Sequence, residues 1–156
     1  MSMRFFGDFP AKADAKGRVF LPAAFRKVLE AADEKRLVLR PDLYQDCLVL
    51  YPESVWNDMQ DALESRLNKW DRRHQDIMRR FVAGVEKFEL DGSGRFLINK
   101  RKMERAGISQ DIVFLAVNDK IEVWDKTRYE EHFCDDGVLG ELIEQTMAEP
   151  QTKDMS

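Results

Sequence analysis

The sequence predicts an α+β, β-rich protein. Two tandem copies of one unit would form a β core of pseudo-two-fold symmetry, with helices at the periphery. Three observations carry this expectation. A pentapeptide of Asp, two variable positions, Gly and Arg occurs as DAKGR at residues 14–18 and as DGSGR at residues 91–95, an offset of 77 (95 − 18). Around each copy the same order of strand, turn, strand, short helix and hairpin can be read. Between the copies, residues 53–81 place an apolar side chain at every third or fourth position. A chain of 156 residues has room for two small copies on one shared core.

The first unit, residues 5–52, opens with a short strand in GDFPAKAD. In the turn that follows, Asp14 can accept backbone N–H groups as an Asx turn, and Gly17 can take a positive φ. The chain reverses into RVFLP, and Pro22 suits the first turn of a helix over PAAFRKVLEAAD, where a missing N–H is no loss. The β-rich runs LVLR and CLVLY then flank PDLYQD, a hairpin loop by composition.

The second unit, residues 82–125, repeats the order: VEKFELD, DGSGR and RFLIN give strand, turn and strand. NKRKMERAG reads as a short helix with Asn99 as N-cap and Gly107 as its stop. DIVFLAV and KIEVWD form a hairpin around NDK. Aligning Leu50 with Val123 changes the offset to 73 (123 − 50), so about four residues are gained or lost inside the unit, in its helix end and loop. Between the units, 53–81 reads as one connecting helix, striped by Val55, Met59, Leu63, Leu67, Trp70, His74, Ile77 and Phe81. Trp70 and Met59 belong to core or interface on that reading. Residues 126–156 form a helical, acidic C-terminal segment.

Composition narrows the function. With 44% hydrophobic and 35% charged residues the chain is globular rather than disordered. Its longest apolar runs are strand-sized and its N-terminus lacks a signal sequence, so no membrane role and a cytoplasmic location are expected. Cys47 and Cys134 could form one disulfide, but two free thiols fit a reducing compartment better. Net charge is −4 but unevenly spread. Residues 1–26 carry +3 (5 − 2), residues 95–105 carry +4 (5 − 1), and the chain from 130 onward carries −7 (1 − 8). Local field, not the average, decides where an anion settles. His74 and His132 make no metal-ligand pattern with the cysteines, and Ser93 in DGSGR lacks the strand-to-helix setting of a nucleophile. No enzyme, metal, cofactor or small-molecule substrate is expected.

The pattern D-x-x-G-R-[VF]-x-[LI], followed by a short helix and a hairpin, resembles the AbrB-type swapped-hairpin DNA-binding domain. Two such units in tandem, opening with FFGDFPAKADAKGRVFLPAAFR, are similar to the MraZ family of transcriptional regulators over roughly residues 3–145. The resemblance implies strands exchanged between units and assembly of subunits into a ring. It also implies a nucleoid-associated regulator, repressing or modulating its own division and cell-wall operon through direct repeats in double-stranded DNA upstream. Carried over by position, Asp14 with Arg18 and Asp91 with Arg95 are the paired motif. Lys16, Arg26, Lys100, Arg101 and Lys102 add positive charge nearby.

An Arg just after a tight turn can fork onto phosphate or onto guanine O6 and N7, and the Asp four residues earlier can hold it in place. The same Asp–Arg pair could instead be an internal ion pair that only closes the turn. The second copy has Asn99 and Met103 where the first has Pro22 and Arg26, so the two need not meet DNA alike. Lysines there would supply affinity and the first copy specificity; alternatively the KRK run is a solvated helix start. A reading from another class makes the chain a protein-binding or scaffold module of the same fold without operator recognition, dependent on helix positions such as Leu63 and Trp70.

Overall fold

The computed structural model describes residues 3–133 and 137–151; Cys134, Asp135, Asp136, Lys153 and Asp154 lie outside the described residues. The first copy comprises β1 (Asp8–Lys12), β2 (Arg18–Phe20), α1 (Ala23–Ala31), β3 (Arg36–Pro41) and β4 (Leu48–Pro52). Two helices follow, α2 (Glu53–Arg66) and α3 (Arg72–Val82). The second copy is β5 (Glu86–Glu89), β6 (Arg95–Leu97), α4 (Lys100–Ala106), β7 (Asp111–Val117) and β8 (Lys120–Asp125), and the chain continues into α5 (Lys126–His132) and α6 (Leu139–Ala148). The strands and α1 to α4 form one compact unit and the residues after Lys126 a second. Within the second unit, α6 leaves Leu139, Leu142, Ile143 and Met147 exposed. Among the described residues no helix is long and apolar enough to cross a membrane.

Each turn reverses the chain as its sequence predicts, but the strand it launches pairs with the other copy. Six strands form one antiparallel sheet in the order β1-β7-β8-β4-β3-β5, and β2 and β6 form a separate two-stranded ribbon. Strand β1 lies on β7 with Phe9 opposite Phe114 and Ala11 opposite Ile112. The counterpart pairing sets β5 on β3 with Glu86 opposite Leu39 and Phe88 opposite Leu37. The first strand of each copy therefore extends the hairpin of the other. One pseudo-two-fold axis passes through the sheet where Val49 faces Glu122, flanked by Leu48 opposite Val123 and Leu50 opposite Ile121. The ribbon has the same symmetry about Val19 and Phe96.

Alternation along the strands fills both faces of the sheet. On one face Leu37, Leu39, Leu48 and Leu50 meet their counterparts Ile112, Phe114, Ile121 and Val123 in a core closed by the ribbon's Val19 and Phe96 and by Phe25 and Leu29 of α1. Phe25 sits edge-on to Phe5 and Phe9, at centroid distances of 5.6 and 5.2 Å. Cys47 is buried and unpaired, and burial pushes its thiol well above the ordinary range. Helix α1 has nine residues against seven in α4. The β3–β4 connection is also longer than the β7–β8 one, so the register loss falls in the helix and the hairpin loop.

On the opposite face, Val38, Val49 and Tyr51 pack against Trp56 and Phe81, joined by Val55, Met59, Leu63 and Met78. Here the structure corrects the expectation of one helix over 53–81. Helix α2 ends at Arg66, and α3 restarts behind Asp71, whose side chain accepts from the N–H groups of Arg73 (2.8 Å) and His74 (3.4 Å). Asn68 donates its N–H to His74 Nδ1 and accepts from that of Trp70. These short polar side chains offer the backbone alternatives to helix. The break shifts the phase of the stripe: Met78 and Phe81 reach the cluster, while Ile77 is 45% and Trp70 92% exposed. Trp56, outside the stripe, stacks on Phe81 at 4.8 Å. Trp56→Ala should cost about 3–5 kcal/mol in urea denaturation and Trp70→Ala less than about 0.5 kcal/mol. Equal costs would contradict this packing.

Candidate nucleic-acid interface

The two D-x-x-G-R turns are built alike. Asp14 Oδ1 accepts the backbone N–H groups of Lys16 and Arg18, both at 2.9 Å, and Oδ2 accepts Arg18 Nε at 2.8 Å. Asp91 Oδ1 accepts those of Ser93 and Arg95, again at 2.9 Å, and Oδ2 accepts Arg95 Nε at 3.0 Å. The backbone N–H of the arginine is the largest influence holding each carboxylate below its ordinary range, opposed by desolvation and reinforced by the guanidinium. Both aspartates thus remain ionised at neutral pH and keep the arginines oriented. The internal Asp–Arg ion pair that the sequence offered as an alternative is present in both turns.

The turns are also bound to each other. Ile98 donates its N–H to Gly17 O at 2.9 Å, and Leu21, its counterpart, donates to Gly94 O at 3.0 Å. Between them runs the ribbon, with Arg18 opposite Leu97 and Phe20 opposite Arg95. Because side chains alternate across a strand, Val19 and Phe96 point to the core while these four share the outer face. Phe20 is 55% and Leu97 51% exposed. The two arginine side chains keep 41% and 30% exposure, and each engages its aspartate through Nε alone. The Nη1 and Nη2 amines of both make no hydrogen bond among the described residues, so the end of each fork stays open. Arg95 lies over the Phe20 ring at 5.7 Å from its centroid. Sequence reasoning missed Phe20 and Leu97; the signal was available in their two-residue spacing from the arginines.

The remaining candidates separate. Lys16 is exposed beside the first turn and Lys100 at the start of α4. Arg26 does not join the first turn: its guanidinium lies against Gly94 of the second, where a Cβ would stand 2.5 Å from Nη1, and its buried Nε has no partner. Lys102 departs from the expectation that placed it with Lys100 and Arg101 as surface charge. It is buried, with Nζ on Glu86 at 2.5 Å, because Asn99 caps α4 through the Lys102 N–H and turns this side chain inward. Arg101 is exposed and lines a different cleft, beside Arg40 and Arg105.

Two tandem units that exchange strands around a pseudo-two-fold axis, and present one symmetric basic ribbon, define the class of fold. A family model described as "MraZ protein, putative antitoxin-like" matches residues 5–77 and 81–136. The chain is 50% identical over 147 residues to a protein of Bacteroides fragilis, covering 94% of this chain and 93% of the relative. It is 52% identical over 145 residues to one of Phocaeicola vulgatus, covering 93% and 94%. A protein of Bacteroides thetaiotaomicron is 49% identical over 152 residues, or 97% of each chain. All three relatives carry the name Transcriptional regulator MraZ. The chain belongs to the MraZ family.

Proposed function

We propose that this protein is a sequence-specific, double-stranded-DNA-binding transcriptional regulator, without enzymatic activity, acting in the cytoplasm on the nucleoid. The reading is carried by one observation: two guanidinium groups, each held through Nε by an aspartate, leave their Nη ends open on the same face of a two-stranded ribbon. A ribbon of this kind fits the major groove, where an arginine can fork onto guanine O6 and N7. Arg18 and Arg95 are the reading side chains, Asp14 and Asp91 their positioning residues, and Lys16 and Lys100 flanking phosphate contacts. Arg26 supports the second turn from behind. The names of the relatives support a regulatory role.

One ribbon offers few contacts, so a single chain binds weakly and salt-sensitively. Assembly of several chains into a ring that engages direct repeats upstream of the protein's own division and cell-wall operon would supply avidity. The test is a fluorescence-anisotropy titration of that upstream duplex and of a scrambled one, at about 50 and 200 mM salt. Preference for the native duplex, weakening steeply with salt, is expected. Equal binding to both duplexes, or none at either salt, would refute operator recognition and favour a protein partner.

A further inference from the structure

Helix α4, the end of β3 and the end of α3 enclose a cleft of about 810 Å³ whose lining is strongly cationic. Five of its side chains are positive, Arg40, Arg80, Arg101, Lys102 and Arg105, against two carboxylates, Asp42 and Glu86. The local pairs consume part of this charge. Arg80 Nε binds Asp76 at 2.8 Å and Lys102 binds Glu86. Asp42 Oδ2 accepts the backbone N–H groups of Tyr44 and Gln45. Arg40, Arg101 and Arg105 have no carboxylate partner among the described residues.

Arg40 is the unusual member. It is only 6% exposed, yet its partners are neutral. Nε donates to Pro41 O at 3.0 Å and Nη1 to Phe81 O at 2.7 Å, and the guanidinium lies over the rings of Phe81 (5.0 Å) and Trp56 (5.7 Å). Burying a cation without a counter-ion is costly, and these contacts fix its geometry without neutralising it. Desolvation draws the Arg40 pKa down most strongly; Tyr51 and Asp42 partly restore it, and the positive charge of Arg105 lowers it slightly further. Arg40 and Arg105 therefore bring two guanidiniums to the lining of one cleft. Exposed Arg101, one turn before Arg105 on α4, adds a third.

We propose that this cleft binds a small phosphate-bearing anion, of pyrophosphate to nucleotide size, on the guanidinium groups of Arg40, Arg101 and Arg105. Arginine forks match phosphate oxygens in pairs, and a multiply charged anion offsets the excess positive charge of the lining and the desolvation of Arg40. The concavity selects a small ligand over the DNA backbone, because a duplex carries its phosphates on a convex surface and cannot reach a side chain on the cleft floor. The assignment is independent of operator recognition by the ribbon.

Isothermal titration of the full chain with inorganic pyrophosphate, at ionic strength held constant with chloride, tests it. Saturable binding of one pyrophosphate per chain is expected. It should weaken at least about tenfold in Arg101→Gln/Arg105→Gln, whose side chains are exposed and whose fold circular dichroism can verify, and remain unchanged in Arg18→Ala. Non-saturable binding, or binding undiminished in the double variant, would overturn the proposal. A double variant that loses DNA affinity as fully as Arg18→Ala, with no pyrophosphate bound by wild type, would reassign the cleft to the DNA interface and also overturn it.

Discussion

Arg18→Ala/Arg95→Ala should lose about 2–6 kcal/mol of binding to the native upstream duplex, taking about 1–3 kcal/mol for each bidentate arginine–guanine contact, and should level its preference over a scrambled duplex. Both side chains sit outside the core, so thermal unfolding should change little. The single variants separate the copies. Arg95 is more covered than Arg18 and backed by the Phe20 ring. Its fork is therefore held more firmly, and its loss should be felt at least as strongly as that of Arg18 despite the divergence of the second copy's helix. Anisotropy titrations of the three variants at one salt concentration measure this. Wild-type affinity and discrimination in the double variant would remove the ribbon from the DNA interface.

Gly17→Ala should cost about 3–5 kcal/mol, a large part of the stability of an ordinary domain, whereas Gly94→Ala should cost about 1–2 kcal/mol. Both glycines have positive φ, +89° and +84°. They differ in what crowds them. A Cβ at Gly17 would stand 2.3 Å from the Ile98 carbonyl oxygen, in the backbone segment that bonds the two turns together. At Gly94 the obstacle is the flexible end of Arg26. Urea denaturation of both variants, monitored by the same probe, gives the comparison. Equal losses would mean that Ile98 yields as readily as a side chain and that the bond between the turns contributes little.

Much of this fold is legible in the sequence because its signals are local. Asp14 and Gly17 announce a turn whatever surrounds them, Asn99 and Gly107 bracket α4, and alternation marks each strand. Partner choice is not local. Strand β1 could close a hairpin on β2, and nothing in GDFPAKAD says that it joins β7 instead; that follows from burying Phe9 and Ala11 against the other copy's apolar face. The break after α2 was encoded in Asn68 and Asp71, but regular apolar spacing spoke more strongly than two polar caps. Lys102 and Arg101 are neighbours in sequence and part company in space because an α-helix turns about 100° per residue. Of the candidate interface, the repeated motif pointed to the arginines, while the placement of Arg26 against the second turn needed the tertiary structure. The same holds for Arg40, whose strand reads as plain β sequence.

The exchange of strands makes this chain a dimer written as one polypeptide. Where two identical subunits would be bound to change both halves together, the covalent link lets each half mutate alone while keeping its partner at high effective concentration. The divergence is visible along the symmetry axes: Val49 faces Glu122 in the sheet and Val19 faces Phe96 in the ribbon. Arg26 reaches across to the opposite turn from a position that its counterpart, Met103, gives to the core. Fusion has thus turned a symmetric object into one with a direction.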